Sequence, residues 1–307
     1  MLDNKLVSVI INCRNSEDFL GACIESVLIQ TYKYFEIILI DNQSTDNTKK
    51  IIFSYKDERI KYFVTNEFLS LGAARNFALS KCNGQYLAFI DSDDIWLPDK
   101  LESIIKKFNN QTGLVYSNVL YFNESKSYKL YSYRKIYEGN CFNKLLYDYN
   151  LCMSSCVVSN KIVKKHNIRF DKDLRVCEDL DFFLKIAYIS ELSYVDKTLT
   201  KYRIHSDNLT SKHLELFYDE YQTTIANLIS FFKIEKDFFI RAMEINNLKK
   251  SRYLWKRKKI KEAFETLNQV NTLILKRLFH TFLLLIPYKL VRFFYKPFSK
   301  VIFDFNE

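Results

Sequence analysis

Glycine and proline are scarce in this chain, five and three respectively in 307 residues. So little punctuation predicts regular elements joined by few long flexible connections. No apolar run is long enough to cross a bilayer. Near the C-terminus only eleven uncharged residues separate Arg277 from Lys289, and a spanning helix takes about 20. The start, "MLDNKLVSVIIN", lacks the charged segment, long apolar segment and small-residue cleavage site of a secretory leader. It reads as a first core strand, and a cytoplasmic location is expected. The seven cysteines (Cys13, Cys23, Cys82, Cys141, Cys152, Cys156 and Cys177) show no paired zinc spacing. Cys152 and Cys156 stand four apart with no second Cys or His pair following, so buried reduced thiols are expected. Neither a Gly-x-Gly-x-x-Gly string nor a Walker-type lysine loop supports a dehydrogenase or an NTPase. There is no internal repeat and no low-complexity tract.

Hydrophobic residues make up 48% of the chain, enough for a real core in one large domain or one domain with an appendage. The net charge of +10 is uneven. Residues 1–232 hold 29 charges of each sign, and Lys233 to Lys300 hold 17 Lys and Arg against five Asp and Glu. A nucleic-acid binder would carry a basic stripe on its main fold. A neutral body with a basic tail points instead to an anionic lipid surface.

The first 125 residues alternate between two patterns. Strands are predicted at "LVSVIIN" (6–12), "FEIILID" (35–41), "IKYFV" (60–64), "QYLAFID" (85–91) and "GLVYSNVLYF" (113–122). Between them fall helical stretches: one with Phe19, Cys23, Ile24, Val27 and Leu28 on one face, then 44–55, 71–82 and 98–108. This alternation predicts an α/β fold with a mostly parallel, Rossmann-like sheet flanked by helices. Residues 126–215 are less regular, with strand-like 155–159 and 199–205 around a stretch, 175–188, that becomes helical. Beyond Leu214 the pattern is helical, and "YLWKRKKIKEAFETLNQV" sets Leu254, Ile260, Phe264, Leu267 and Val270 opposite a Lys and Arg face.

In open α/β sheets ligands bind beyond the carboxyl ends of the strands. Asn12 to Arg14, Asp41 and Asp91 to Asp94 all fall there. Within "FIDSDDIW" (89–96), Asp91 and Asp93 can face a common ligand where the chain turns off its strand. Crowded carboxylates are tolerated when a divalent cation neutralises them. Oxygen donors without nearby Cys or His favour Mg²⁺ or Mn²⁺ over Zn²⁺, and such an ion usually also binds substrate phosphates.

"VSVIINCRN", "EIILIDNQSTDNT", "LGAARNFAL", "YLAFIDSDDIWLPDKL", "VCEDLDFFLKIAY" and "YRIHSDNLT" occur in that order. Together they resemble the family 2 glycosyltransferases, inverting nucleotide-sugar-dependent enzymes of GT-A fold, over residues 6 to about 210. The resemblance implies that Asp41 meets the nucleobase, usually uracil. Asp91 would lie near the ribose or metal, with Ser92 beside the nucleotide and Asp93 as main metal ligand. Arg75 matches an arginine near the nucleotide, or pairs structurally with one of these aspartates. Asp179 of "CEDLD" matches the catalytic base, with Glu178 and Asp181 as rivals on spacing, and His205 matches a histidine against the metal or diphosphate, with Arg203 beside it. Many relatives have Pro-Thr-Tyr where this chain has Asn12, Cys13 and Arg14, so stacking on the base falls to the Arg14 plane or is lost. Among the three aspartates Asp93 is expected to matter most and Asp94 least.

The resulting expectation is a glycosyltransferase domain over 1–213, with a nucleotide-sugar-binding half (1–125) and an acceptor and catalytic half (126–213), then a basic amphipathic helical region over 214–307. It would use Mn²⁺ or Mg²⁺, take a UDP-linked sugar, and act on a lipid-linked glycan acceptor of surface polysaccharide synthesis. The tail would lie on the inner face of the cell membrane or form a homo-oligomer interface. No nucleic acid is expected. The rival readings are a haloacid-dehalogenase-like phosphotransferase, whose nucleophilic Asp normally opens the first strand and is followed by Asp-x-Thr or Val, and a non-catalytic nucleotide-sugar-binding protein.

Overall fold

The computed structural model describes residues 5–206, 208, 213–233 and 237–285. Part of "YRIHSDNLT" and the stretch beyond Leu285, to which the lipid-surface expectation extends, lie outside the described residues. The chain divides into two compact units, residues 1–205 and 206–307.

The first unit is built on a nine-stranded sheet in the order β3-β2-β1-β4-β8-β6-β9-β5, with β7 paired to β6. Its strands are β1 (Val7–Cys13), β2 (Phe35–Asp41), β3 (Ile60–Val64), β4 (Tyr86–Phe89), β5 (Ile95–Trp96), β6 (Thr112–Phe122), β7 (Ser127–Lys129), β8 (Val157–Ser159) and β9 (Glu191–Arg203). The helices are α1 (Leu20–Leu28), α2 (Thr48–Ser54), α3 (Leu71–Lys81), α4 (Lys100–Ile105), α5 (Phe142–Tyr147), α6 (Asn160–Lys165) and α7 (Glu178–Ile189). β3, β2, β1 and β4 are parallel, so their carboxyl ends share one edge. β8 then runs antiparallel between β4 and β6, and β6 pairs parallel with β9. The continuous apolar runs of β1 and β2 follow from burial on both faces. Val9, Ile11, Ile37 and Leu39 pack toward α1 and α4 in one core cluster. On the other face Phe89 meets the rings of Phe170, Phe182 and Phe183 edge-on.

Two local features position the site. Gly72 opens α3, and a Cβ there would lie 2.3 Å from the Asp171 carbonyl oxygen. Its absence lets segment 168–173 lie against α3, where Asn76 exchanges two hydrogen bonds with the Phe170 backbone, at 2.8 and 2.9 Å. This brings the start of α7 over α3. The predicted helix over 44–55 begins only at Thr48, because residues 44–47 interlock with 15–17 instead. The Asp46 carboxylate accepts from the Glu17 and Thr48 N–H groups, and that of Glu17 accepts from Asn47. The strand predicted over 199–205 is the end of the longer β9, which takes its register from β6. All seven cysteines are buried and free of disulfides, as the spacing implied.

The second unit contains α8 (Leu214–Phe232), α9 (Asp237–Lys256), α10 (Ile260–Asn268) and α11 (Ile274–Leu284). The helical pattern read through "YLWKRKKIKEAF" breaks in two. Lys258 takes a left-handed conformation (φ +64°), with the Lys259 N–H returning to the Leu254 carbonyl and that of Lys258 to Trp255. This is a Schellman cap formed without glycine. The turn buries Leu254, Leu267 and Val270 together with Trp255 and Leu284, and leaves Ile260 39% exposed. Among the described residues no helix is long and apolar enough to cross a membrane.

Candidate active site

Because β1 lies between β2 and β4, Asn12, Asp41 and Asp91 reach the same sheet edge. Asp41, the last residue of β2, is buried at 2% exposure. Its Oδ1 accepts from the Ser44 N–H and its Oδ2 from the Tyr62 hydroxyl, both at 2.9 Å. The carboxylate is thereby fixed in orientation, with lone pairs left for a further donor. Burial and this bond to Asp41 raise the Tyr62 hydroxyl, which stays a donor. Nearby, both amide atoms of Asn12 are buried without a hydrogen-bond partner. The Arg14 guanidinium lies over the Phe68 ring, 4.0 Å from its centroid.

Beyond β4 the chain turns sharply, the Asp94 N–H bonding the Asp91 carbonyl at 3.0 Å. The Asp91 N–H donates to Ser154 Oγ at 3.0 Å, and its Oδ1 accepts from Arg75 at 3.1 Å. Burial in the cleft raises the Asp91 carboxyl against the pull of Arg75, although its side chain keeps 39% exposure. Ser92 Oγ lies 2.9 Å from Ser16 Oγ. Asp93 Oδ2 lies 2.8 Å from His205 Nε2, and its carbonyl accepts from Arg203 Nε at 3.0 Å. The Arg203 guanidinium packs against the rings of Phe19 and Phe122, at 4.6 and 4.8 Å. Asp94, expected to matter least, is fully buried and takes the Arg203 N–H at 2.9 Å. Its Oδ2 has no partner, and burial with the neighbouring aspartates holds its carboxyl well above the usual range. It anchors the end of β9 to the turn.

At the start of α7 the three acids separate. Glu178 Oε1 accepts from Arg75 at 2.6 Å, and burial raises its carboxyl to about 7. Asp181, a rival candidate, points into the core and pairs with Lys185 at 2.5 Å. Asp179 is half-buried; its Oδ2 accepts from the Tyr149 hydroxyl at 2.9 Å and its Oδ1 from the Leu180 N–H at 2.7 Å. Burial raises this carboxyl as well, which suits a group that must take up a proton. Arg75 is 5% exposed and donates to both Asp91 and Glu178.

The structure thus gathers Asp91, Ser92, Asp93, Arg203 and His205 around one turn. Arg75 ties them to the helix of Asp179, and Asn12, Arg14 and Asp41 stand along the same edge. Tyr62, Phe68, Tyr149 and Ser154 were missed by sequence reasoning. Tyr149 follows a six-residue helix in the irregular stretch, where no periodicity marks it, and the chain just before it lines an open groove of about 660 Å³ that includes Lys135, Lys144, Tyr147 and Asp148.

Asp91, Asp93 and His205 offer two carboxylates and an imidazole at one turn. Among the described residues no group of three or more His, Cys, Asp or Glu is arranged to close around a metal ion. Carboxylate oxygens are the donor type that Mg²⁺ and Mn²⁺ take, one or two at a time, with water and phosphate oxygens supplying the rest.

Carboxylates at the ends of β2 and β4, beside the Asn12 amide of β1, thus share one edge of a mostly parallel sheet, and the comparisons give the class of protein. Residues 8–166 match the glycosyl transferase family 2, to which this chain belongs. It is 32% identical over 215 residues to the Escherichia coli UDP-Glc:alpha-D-GlcNAc-diphosphoundecaprenol beta-1,3-glucosyltransferase WfgD, covering 68% of this chain and 81% of that protein. It is 35% identical over 208 residues to an uncharacterized glycosyltransferase of Rickettsia conorii, covering 66% of this chain and 34% of that protein. The match thus spans about a third of the Rickettsia relative. The fold is shared with S. aureus TarS 1-349 in complex with UDP-GlcNAc (TM-score 0.67, 20% identity, 86% of this chain and 79% of that one). It is also shared with the mannosyltransferase PcManGT from Pyrobaculum calidifontis in complex with GDP-Man and Mn²⁺ (TM-score 0.61, 15% identity, 96% and 84%). Family membership leaves the haloacid-dehalogenase reading without support, and the Asp-x-Asp string follows the fourth strand, not the first.

Proposed function

We propose that the chain transfers a sugar, with inversion, from a UDP-linked donor to a hydroxyl of a lipid-linked glycan acceptor. The reading rests most on Arg75, which donates to Asp91 at the strand end and to Glu178 beside Asp179, so that donor and acceptor chemistry share one buried cation. Asp41, oriented by Ser44 and Tyr62, accepts from the imide N–H of the base, and the Arg14 plane over Phe68 offers it a stacking surface. Asp91 and Asp93, with His205, would hold Mg²⁺ or Mn²⁺, which when bound neutralises charge on the diphosphate. Arg203 and His205 stabilise the negative charge of the departing nucleoside diphosphate. Asp179, held by Tyr149, removes the acceptor hydroxyl proton as that oxygen attacks the anomeric carbon from the face opposite the diphosphate.

The acceptor class is supported by WfgD, which acts on a diphosphoundecaprenol-linked sugar. In the second unit α11 leaves Leu275, Leu278 and Phe282 83%, 59% and 62% exposed, beside Lys276 and Arg277. Such an apolar strip with flanking cations suits an anionic leaflet. Replacing Leu275 and Phe282 by Glu is expected to abolish flotation with phosphatidylglycerol vesicles. If flotation persists and solution mass falls instead, the strip is an oligomer interface.

Asp179→Asn tests the whole reading. It should keep thermal stabilisation by UDP with Mn²⁺, a mass-action effect of binding, while transfer falls by roughly 10²- to 10⁴-fold. Unchanged transfer overturns the assignment of the base. No stabilisation of the unaltered chain by UDP, GDP, CDP or dTDP sugars overturns the donor class.

A further inference from the structure

Four tyrosines that this mechanism leaves unused form a row leading away from the carboxylates. Tyr202 on β9 pairs across the sheet with Tyr121 on β6, and Tyr121 with Tyr128 on β7. The Tyr202 and Tyr121 rings are 4.7 Å apart at 34°. Tyr121 and Tyr128 stack at 5.3 Å and 10°, and Tyr133 meets Tyr128 edge-on at 6.3 Å. The inner end belongs to the site, since the next residue, Arg203, bonds Asp94 through its N–H. Burial together with Asp94 and Cys152 raises the Tyr202 hydroxyl. The same Cys152 lies near Tyr121 and near Tyr149, the residue that holds Asp179. At the outer end Tyr133 is 40% exposed, and Tyr121, Tyr128 and Tyr202 are only half-buried.

A core would bury such rings, and an idle surface rarely collects them in a row. Phenol rings offer an electron-rich face with a polar rim. A pyranose has the matching character, with a face of polarised C–H groups and hydroxyls around its edge. We propose that the outer end of this row, Tyr128 and Tyr133, backed by Tyr121 and Tyr202, forms a saccharide platform, on which a pyranose ring of the acceptor glycan stacks so that the sugar bearing the attacking hydroxyl reaches Asp179. This deepens the glycosyl-transfer reading and rests on it.

Tyr128→Leu and Tyr133→Leu remove the aromatic faces at the accessible end, and Tyr128→Phe keeps the face without the hydroxyl. The probes are methyl N-acetyl-α-D-glucosaminide in saturation-transfer difference NMR, and a short-chain N-acetylglucosaminyl diphosphate lipid in transfer assays with UDP-glucose. The Leu variants should weaken saccharide binding and raise acceptor KM by roughly five- to tenfold, with UDP stabilisation unchanged, and Phe should stay within about twofold. Equal saccharide signals in the wild-type and Leu variants overturn the platform, as does a Phe variant as impaired as Leu. If the wild-type chain binds no nucleotide sugar and transfers nothing, the transferase reading has failed, and the NMR comparison decides the platform separately.

Discussion

Two triplets of acids, Asp91, Asp93 and Asp94 at the sheet edge and Glu178, Asp179 and Asp181 on α7, differ in spacing and yet divide their labour alike. One member of each, Asp91 and Glu178, leans on Arg75. Another, Asp93 and Asp179, is part-exposed beside a ring that can donate to it, His205 or Tyr149. The third, Asp94 and Asp181, has no exposed surface. The difference lies in that third member: Asp181 has the ammonium of Lys185, whereas Asp94 has one backbone N–H, and each keeps one oxygen without a partner. Adjacent acids thus acquire their roles from what faces them, not from their order in the string.

The sharpest way to break the parallel is to remove what the triplets share. Arg75→Met strands two carboxylates in a buried setting and should lower stability by about 3–5 kcal/mol in urea unfolding. The deficit should grow with pH. A carboxyl raised in the folded state stabilises while protonated, and that contribution, complete below its unfolded value, is lost as pH rises through the folded one, which for Glu178 is about 7 with Arg75 in place and higher without its pull. The variant should therefore be nearest to wild type near pH 5 and farthest above pH 7.5. A deficit under about 1 kcal/mol at pH 7.5 would mean the bridge is dispensable.

Asp93→Ala tests the chemical members. Asp93 keeps 25% side-chain exposure, so its removal should spare stability while transfer falls roughly 10²-fold or more and Mn²⁺ no longer enhances UDP binding in a thermal-shift titration. Normal transfer by this variant would remove the metal from the reading of this turn.

Much of the first triplet was legible because strand ends in a parallel sheet are predictable places. "FEIILID" and "IKYFV" mark β2 and β3 to the residue, and alternation with helices implies that their carboxyl ends align. The second triplet was legible only through its resemblance to relatives. That Arg75 would reach it depends on Gly72 letting segment 168–173 lie on α3, a contact between residues a hundred apart that no local pattern encodes. Asp94 was ranked last of its string for metal-dependent turnover, and nothing in the string marks it as buried. Its burial follows from β9 crossing above it, and β9 owes its register to β6. Lys258 escaped notice because a left-handed cap without Gly or Asn leaves the helical pattern unbroken.

The buried members should separate in their response to the same change. Asp181→Asn leaves the Lys185 ammonium, itself only 7% exposed, without its counter-charge, and should lose about 1–3 kcal/mol. Asp94→Asn keeps an oxygen for the Arg203 N–H and replaces a carboxyl already biased toward its neutral form, so it should stay within about 0.5 kcal/mol of wild type. Equal losses in urea unfolding would show that both carboxyls are ionised in the fold.

The smallest effect concerns the ring behind Asp179. The Tyr149 hydroxyl donates to Oδ2 and so favours the ionised carboxylate, opposing the burial that raises it. Tyr149→Phe keeps the ring and removes that donor, so the Asp179 carboxyl should rise further. A base works only when deprotonated, and the acid limb of the pH profile should accordingly move to higher pH by about one unit or less, with transfer recovering at alkaline pH and UDP stabilisation unchanged. A purely structural Tyr149 would lower activity by the same factor at every pH, and that flat loss would separate packing from positioning.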